Sequence, residues 1–381
     1  MPLLVSSKKY DKTLLGLTLA LTTLGTVMIF SSSINISMDM FGVGTHYFKR
    51  HMIRVVIGLT AMFLFMHIDY QKLKKFAAPL LIFTIIILLI TKISYTLRGS
   101  THSARWLYVG SFGWQTSDLA RFAIILYLAS YIDEKRDQIN DFIYGFLPPL
   151  VMVGLIMALI IIQPDFSTAI MIAVIMGTLL FIGKAKISHL LATGSTGLAI
   201  IIPVMLIAPY RLERIKSFFT FGSDLCGMNY QVKQSLTSLG NGGLFGVGLG
   251  ESVGKNLFLP EPHTDFIMSI IGEEFGFIGT FIILTLFLAI FQRGIKISKN
   301  CTDIFGIMLA IGISVKMITY AFINSAVVTA LVPTTGLPIP FISFGGTGLV
   351  INMMTIGILL NISMAKRSVR HKKGARILFA K

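Results

Sequence analysis

Charged residues are scarce in this chain of 381 residues. Only 13% of the residues are Asp, Glu, Lys or Arg, whereas 54% are hydrophobic. Because soluble domains carry roughly a quarter charged residues, this composition excludes one or two ordinary soluble domains and predicts an integral membrane protein. The two cysteines, Cys226 and Cys301, lie far apart without a CxxC or Cys/His cluster, which argues against a disulfide framework and a structural zinc site.

Acidic residues are scarcer than basic ones. The chain has 17 Asp and Glu residues against 33 Lys and Arg residues, a formal net charge of +16. In a soluble chain this excess would indicate nucleic-acid binding, but in a membrane protein basic residues first serve as topology signals. We therefore expect no nucleic-acid partner.

Long apolar runs fill most of the sequence. A helix needs about 20 mostly apolar residues to cross the hydrocarbon core of a membrane, and no segment shows the two-residue alternation of a membrane strand. The sequence predicts an all-α polytopic membrane protein with about ten transmembrane helices, in a single domain over residues 1–381. The predicted spans are residues 13–34, 51–69, 76–95, 115–133, 143–163, 167–184, 187–208, 266–292, 303–327 and 345–365.

The distribution of basic residues predicts the orientation of the chain. An even number of spans places both termini on one side, and that side holds 20 of the 33 Lys and Arg residues against 11 on the other. Since positive residues favour the cytoplasmic side, the N-terminal residues 1–12 and the basic tail 366–381 are predicted to be cytoplasmic. Residues 209–265 then form a large extracytoplasmic loop, and loops of this length are usually functional.

Prolines interrupt the last apolar part of the chain. Residues 317–365 contain no charged residue, yet Pro333, Pro338 and Pro340 fall within them. Proline breaks a continuous helix, and irregular backbone at membrane depth needs protein or a cavity around it. A re-entrant or cavity-lining turn is therefore predicted at PTTGLPIPF.

Ionisable residues within or beside the spans are functional candidates, because they are costly in a membrane. Asp118 and Arg121 are spaced i, i+3 and share a helix face, which permits either a structural ion pair or a substrate contact. Asp165, in QPDFSTA, can cap the following helix. Lys316 has no opposite charge within one turn, which favours a structural role through carbonyls, another span or the lipid interface.

The extracytoplasmic loop carries three further signals. Arg211 and Arg214 lie one helical turn apart and suit either a pyrophosphate or lipid headgroups. The run SLGNGGLFGVGLGES satisfies neither GxxxxGK[ST] nor GxGxxG, so its glycines point to close backbone packing or to turns beside a substrate. In LPEPHTDFIMSIIGEE, His263 and Asp265 have no metal-ligand spacing, and Asp265 either caps span eight or acts as a general base.

Several motifs, in order along nearly the whole chain, resemble one family. They include FKRH, ARW, QTSDLARF, QPDFSTA, YQVKQSLTSLGNGGLFGVGLGES, LPEPHTDFIMSIIGEEFGFIG and PTTGLPIPFISFGGTG. The chain resembles the SEDS (shape, elongation, division and sporulation) family of membrane glycosyltransferases, which polymerise peptidoglycan from lipid II. GVGLGES with LPEPHTDF, and PTTGLPIPFIS, are closest to the cell-division (FtsW-type) branch, whereas rod-shape (RodA-type) members usually have GW and GTQ in the glycine-rich stretch.

The resemblance implies roles for individual residues. The aspartate of the HTDF motif, which is associated with catalysis in the family, matches Asp265 and favours the general base over the cap. The pair Arg105 and Trp106 matches the family's RW, and QTSDLAR keeps the charge signs of the family's QPSELAK. The substrate-binding candidates are Arg105, Trp106, Asp118, Arg121, Asp165, Arg211, Arg214, Gln231, Gln234, His263, Ser343, Gly345 and Gly346, and no metal ligand is predicted.

The resemblance also implies a reaction and its setting. The 4-hydroxyl of GlcNAc in one lipid II would attack C1 of MurNAc in another, with inversion and release of undecaprenyl pyrophosphate. No cofactor is required by the sequence, although Mg²⁺ or Mn²⁺ can assist. The expected partners are a class B penicillin-binding transpeptidase and other division proteins, at the septum of a bacterial cytoplasmic (inner) membrane. A flippase for lipid-linked precursors, a rod-shape elongation polymerase and a non-enzymatic scaffold remain alternatives.

Overall fold

The chain folds as a bundle of long helices. The structure, a computed structural model, describes residues 10–98, 104–109, 112–207, 218, 228–256, 259–260 and 262–365. The elements in chain order are α1 (Lys12–Phe41), α2 (His46–His67), α3 (Tyr70–Leu73), α4 (Ala77–Arg98), β1 (Trp106–Val109), β2 (Phe112–Gln115), α5 (Thr116–Glu134), α6 (Leu147–Ile162), α7 (Phe166–Ile182), α8 (Ile187–Ile207), α9 (Met228–Gly242), α10 (Ile267–Asn300), α11 (Ile304–Val328) and α12 (Thr347–Ser363).

Each of the ten predicted spans coincides with one long helix in the described ranges, which confirms the all-α fold class. By length and composition, five helices are apolar enough to cross a membrane, and three shorter apolar helices accompany them. Helices α2 and α5 carry more polar residues; in α5 these include Ser117, Asp118 and Arg121, all buried inside the bundle. Polar residues that face other helices lower the hydropathy of a span without exposing it to lipid.

Two elements in the connections between the long helices were not predicted. Strands β1 and β2 form an antiparallel hairpin in which Trp106 pairs with Gln115. Helix α9 lies within the loop predicted for residues 209–265 and packs on α10. Both elements bring parts of these connections close to the helix ends where the candidate residues lie.

The first helix is longer than its predicted span. Asp11 caps its start by accepting a hydrogen bond from the Leu14 amide at 2.9 Å. Its end is set by Gly42, whose left-handed backbone (φ 67°) lets its N–H donate to the carbonyl of Met38. At 1.5 Å per residue this helix is about 45 Å long, well over the roughly 30 Å hydrocarbon thickness.

The first and last described helices meet at one end of the bundle, which we call the tail end. The Asp11 amide donates to Ser363 Oγ at 3.1 Å, and Arg293 Nη2 lies 2.9 Å from Asp11 Oδ1. The Tyr70 amide donates to Asn361 Oδ1 at 3.0 Å at the same end. The two ends of the described chain thus lie together, as an even number of spans requires. That this side is cytoplasmic stays a prediction from the basic residues.

Cys301 also lies at the tail end, between α10 and α11. It is buried, and its Sγ donates a hydrogen bond to Asp303 Oδ1 at 3.3 Å. Burial raises the pKa of the Cys301 thiol to about 12. Because only a thiolate is a good nucleophile, Cys301 is a packing residue rather than a reactive one.

The glycine-rich run packs against the backbone of α10 at the opposite end, which we call the loop end. Gly276 interrupts α10 with a positive φ of 67°, and the Phe277 amide there donates to the carbonyl of Gly243 at 2.9 Å. The Val247 amide donates to the carbonyl of Glu273, also at 2.9 Å. A Cβ on Gly246 would collide with the carbonyl of Glu274. The close-packing interpretation of these glycines is therefore confirmed.

Two adjacent carboxylates of α10 anchor this loop. Glu273 accepts hydrogen bonds from Ser252 Oγ at 2.5 Å and from the Gly254 amide at 3.1 Å. Glu274, fully buried, accepts from Ser31 Oγ of α1 at 2.6 Å and forms a salt bridge with Lys255 Nζ at 3.1 Å. The loop is thereby tied to both α1 and α10.

Replacing Glu274 with glutamine is expected to destabilise the protein by about 1.5–3 kcal/mol, because the buried Lys255 ammonium loses its anionic partner. The measurement is the thermal unfolding midpoint in detergent. Asp133→Asn is the control, since the Lys74–Asp133 pair is partly exposed and such pairs contribute about 0–1 kcal/mol. Equal shifts for the two variants would contradict the buried salt bridge.

Candidate functional site

Asp265 lies at the loop end, immediately before α10. Asn324 of α11 holds its backbone in place, because Asn324 Nδ2 donates to the carbonyl of Asp265 at 2.9 Å and to that of Leu337 at 2.8 Å. The N-cap of α10 is Phe266. The N-cap thus lies one residue after Asp265, and the choice between a capping role and a general base for Asp265 stays a prediction.

The segment between α11 and α12, residues 329–346, is irregular, with residues 337–343 largely buried, and we call it the return segment. Its apolar side chains, such as Leu337 and Ile342, are packed inside the protein. Ser343 Oγ accepts a hydrogen bond from the Ile339 amide at 2.9 Å and so closes a turn. The prediction that prolines break the last apolar run is confirmed, and Ser343 shapes the segment.

The return segment passes directly beside the Asp265 carboxylate. Gly336 has a positive φ of 66°, and a Cβ built on it would lie 3.3 Å from Asp265 Oδ2. The Phe344 amide donates to the carbonyl of His263 at 2.8 Å. These contacts place the HTDF motif and the return segment around one carboxylate.

Replacing Gly336 with alanine is expected to lower activity about tenfold or more, because the new methyl group displaces the Asp265 carboxylate and small misplacements of catalytic groups are costly. The left-handed backbone adds about 1–2 kcal/mol of strain. The measurements are the turnover rate and the unfolding midpoint. Gly42→Ala is the matched control, since Gly42 has nearly the same φ and no neighbour within 4 Å. Similar activity losses in both variants would contradict the role of Gly336.

Aromatic rings form a wall beside the return segment. The His263 ring lies 4.6 Å from the Tyr47 ring and 5.4 Å from the Phe344 ring, centroid to centroid. The Arg54 guanidinium lies 4.6 Å from the Phe344 centroid. On the other side, a Cβ on Gly346 would lie 3.6 Å from the Trp106 indole. Three of the predicted site residues, His263, Trp106 and Gly346, thus lie beside this wall. Gly345 directly precedes Gly346 in the chain.

Sequence reasoning missed Tyr47 and Arg54. Arg54 falls inside the predicted span 51–69, yet it was counted only among the basic residues of the outer side. A charged residue within a span is by itself a signal of function. No sequence signal distinguished Tyr47.

Asp118 and Arg121 form the predicted ion pair in direct contact, with 4% and 5% of their side chains exposed. Thr347 Oγ1, at the start of α12, donates to Asp118 Oδ2 at 2.8 Å. The Arg121 guanidinium stacks 4.8 Å from the centroid of the Tyr320 ring and donates to its hydroxyl. The pair therefore links α5 to α11 and α12.

Lys316 lies near this pair. Its Nζ donates to Asn352 Oδ1 of α12 at 2.8 Å, so of the three alternatives for Lys316 the structure shows a partner on another span. Asp118, Arg121 and Lys316 line a cavity of about 30 Å³ together with the return segment. A cavity of this size holds about one or two waters and no sugar.

Asp165 and Arg105 make a second linkage. Asp165 caps α7 by accepting from the Thr168 amide at 3.4 Å, which confirms the capping interpretation. Ser117 Oγ donates to Asp165 Oδ2 at 3.3 Å. Arg105 Nη1 lies 3.9 Å from Asp165 Oδ1, and its Nη2 donates to the carbonyl of Pro164. Arg105 is thus fixed near the hairpin with 26% of its side chain still exposed.

The other candidates are placed less directly. Gln231 and Gln234 are half-buried on α9, whose Ser235 donates to the carbonyl of Val328 at 2.8 Å and so fixes α9 to the end of α11. Arg211 and Arg214 lie outside the described residues. Within the described ranges no group of three or more His, Cys, Asp or Glu side chains is arranged to hold a metal ion.

The long helices, with one carboxylate beside a buried return segment, define a polytopic helical membrane protein with a site at its loop end. Residues 12–368 match the FtsW/RodA/SpoVE family, described as cell cycle protein, and the chain belongs to this family. The resemblance recognised in the motifs is confirmed.

Relatives and solved structures agree over nearly the whole chain. A Trichlorobacter lovleyi protein named "Probable peptidoglycan glycosyltransferase FtsW" is 38% identical over 355 residues, 93% of each chain. Stage V sporulation protein E of Bacillus subtilis is 38% identical, covering 94% of this chain and 98% of its own.

The solved structures are more distant in sequence and show the fold. A chain of a peptidoglycan synthase complex matches with a TM-score of 0.76 at 22% identity, over 93% of this chain and 97% of that one. The rod shape determining protein RodA of Thermus thermophilus matches with a TM-score of 0.69 at 21% identity, over 95% and 98%. The SEDS-type helical fold is therefore confirmed.

Proposed function

We propose that this protein is a peptidoglycan glycosyltransferase that polymerises lipid II into glycan strands for the septal wall during cell division. The observation that carries the proposal is the Asp265 carboxylate of the HTDF motif, held at a helix end beside Gly336 of the return segment. Relatives that share more than a third of the sequence are named as peptidoglycan glycosyltransferases of the FtsW type, which supports both the reaction and the division role.

The proposed reaction joins two lipid-linked sugars. The 4-hydroxyl oxygen of the acceptor GlcNAc attacks C1 of the donor MurNAc, while the bond from C1 to the pyrophosphate oxygen breaks and its electron pair leaves with undecaprenyl pyrophosphate. Asp265 takes the hydroxyl proton, as the base does in inverting glycosidases. The configuration at C1 inverts because attack and departure occur on opposite faces.

Cations would stabilise the charge that develops on the pyrophosphate, since preorganised positive groups are most effective where charge appears. Arg105 suits this role because its guanidinium is anchored and still partly exposed. Arg211 and Arg214 share this role in the proposal, and Gln231, Gln234 and Trp106 are further substrate-binding candidates. Mg²⁺ or Mn²⁺, where present, would assist by neutralising the same developing charge.

We assign Asp118 and Arg121 a positioning role in the proposed reaction. Their cavity is too small for a sugar, and Thr347 connects Asp118 to the start of α12, just after the return segment. Asp165 acts similarly, since it holds Arg105 and caps α7.

The proposed setting is the bacterial cytoplasmic (inner) membrane at the division septum, with both termini cytoplasmic. The protein is a multi-pass membrane protein. A class B penicillin-binding transpeptidase is the proposed partner, because one structure with the same fold belongs to a synthase complex that coordinates polymerisation and crosslinking. Other division proteins would join them.

The test is polymerisation of purified lipid II by the purified protein, with and without the transpeptidase, in Mg²⁺, Mn²⁺ or EDTA. Glycan strands resolved by gel electrophoresis are the expected product. The absence of strands under every condition would overturn the proposal. A flippase would instead move the lipid across reconstituted vesicles without forming polymer.

A further inference from the structure

Arg54 lies on α2 at the edge of the aromatic wall. Its guanidinium lies over the Phe344 ring, and its Nη2 comes within 3.8 Å of the position that a Cβ on Gly346 would take. A side chain at position 346 would therefore lie between the Arg54 guanidinium and the Trp106 indole of the hairpin, and glycine places none there. Arg54 is therefore built into the same region as the HTDF motif.

The Arg54 guanidinium has an unmet hydrogen-bonding requirement. Its Nη1 is buried and has no hydrogen-bond partner among the described residues, and no carboxylate in that part of the chain pairs with it. One helical turn earlier lies Arg50, a second cation rather than a counter-ion. A buried donor left without an acceptor is destabilising, and more so when it is charged. The arrangement points to an anion as its partner.

The surface next to Arg54 faces lipid. Its neighbours on α2, Ile53, Val56 and Ile57, are 57%, 59% and 48% exposed. In a membrane protein such apolar side chains contact acyl chains. Arg54 lies three residues inside the predicted span 51–69, about 5 Å along the helix, beside this lipid-facing surface. A lipid phosphate at the membrane boundary is therefore the anion within reach.

We propose that Arg54 binds the phosphate groups of the polyprenyl pyrophosphate substrate where it passes from the bilayer, between α2 and the return segment, towards Asp265. This inference rests on the proposed function. The planar guanidinium pairs bidentately with phosphate oxygens, a geometry that a lysine ammonium does not reproduce. The ligand chemistry is a lipid phosphate ester, and the headgroup of an ordinary anionic phospholipid is the competing source.

The kinetic test compares Arg54→Met and Arg54→Lys with wild type in detergent, using lipid II. A charge-assisted hydrogen bond contributes about 1.5–3 kcal/mol, and 1.4 kcal/mol is a factor of ten. We expect the KM for lipid II to rise about tenfold in Arg54→Met and about threefold in Arg54→Lys, with kcat within about twofold. Lys92→Met is the matched control. Like Arg54, Lys92 is a half-buried cation on a spanning helix, and it lies over the aromatic ring of Tyr95.

The binding test uses thermal shifts with undecaprenyl pyrophosphate or phosphatidylglycerol as the probe. Stabilisation of wild type by the polyprenyl pyrophosphate, lost in Arg54→Met and retained in Lys92→Met, is the expected result. Stabilisation by phosphatidylglycerol alone that depends on Arg54 would overturn the proposal in favour of a headgroup site. An unchanged KM in Arg54→Met, or an equal rise in Lys92→Met, would also overturn it.

The two arms separate this inference from the proposed function. If wild type makes no polymer but still binds undecaprenyl pyrophosphate through Arg54, the function fails and the site stands. If wild type polymerises lipid II and neither arm depends on Arg54, the site fails and the function stands. Should Arg54→Met not fold, the Arg54→Lys variant gives the same comparison.

Discussion

Asp265→Asn is expected to lower the rate of lipid II polymerisation by about 10²–10⁴-fold, the usual contribution of a general base. Asparagine has nearly the same shape as aspartate, but its amide cannot accept the proton of the attacking hydroxyl at neutral pH. The fold should remain, because asparagine keeps the size of the side chain and Asn324 still holds the backbone carbonyl of this residue. The measurement is the initial rate of glycan formation.

Asp39→Asn is the control for this substitution. Asp39 is an exposed carboxylate near the end of α1, on the loop end, and its replacement makes the same chemical change away from the return segment. Its rate should match wild type. Unfolding midpoints for both variants within a few degrees of wild type would show that the rate effect is chemical. Full activity in a folded Asp265→Asn protein would remove Asp265 as the base.

Arg121→Met is expected to cause the largest loss of stability, about 3–5 kcal/mol, because it leaves the buried Asp118 carboxylate without its cation. Asp118 and Arg121 are almost fully enclosed, so bulk water cannot solvate the unpaired carboxylate, and the small cavity beside it holds only about one or two waters. The measurement is unfolding in detergent by heat or denaturant. Polymerisation should fall as well, since Asp118, which accepts from Thr347 at the start of α12, is no longer held by Arg121.

A double-variant cycle isolates the pair itself. Asp118→Asn combined with Arg121→Met should be more stable than Arg121→Met alone, because the unpaired buried charge is gone. Lys74→Met, which breaks a partly exposed pair, should cost only about 0–1 kcal/mol. Additive effects of the two substitutions would mean that Asp118 and Arg121 contribute independently.

Most of the helical architecture could be predicted from apolar run length. The ends could not: α1 continues to Phe41 because Gly42 sets the stop, and hydropathy does not register a cap outside the apolar run. The hairpin at Trp106–Val109 and Phe112–Gln115 is too short for an alternation pattern to stand out.

The candidate site was predictable where partners are close in sequence. The i, i+3 spacing predicted the Asp118–Arg121 ion pair, and the position of Asp165 directly before a helix predicted its role as the N-cap. Contacts between distant segments left no such signal. Gly336 comes beside Asp265 only because Asn324 binds both backbones around it, and Arg54 comes beside Phe344 only through the packing of α2 on α12.

Reconstitution of the purified protein with lipid II in vesicles, followed for both glycan polymer and lipid translocation, tests the central claim most directly. The account predicts polymer from wild type and almost none from folded Asp265→Asn protein. Translocation without polymer in wild type, or equal polymer from both proteins, would contradict it.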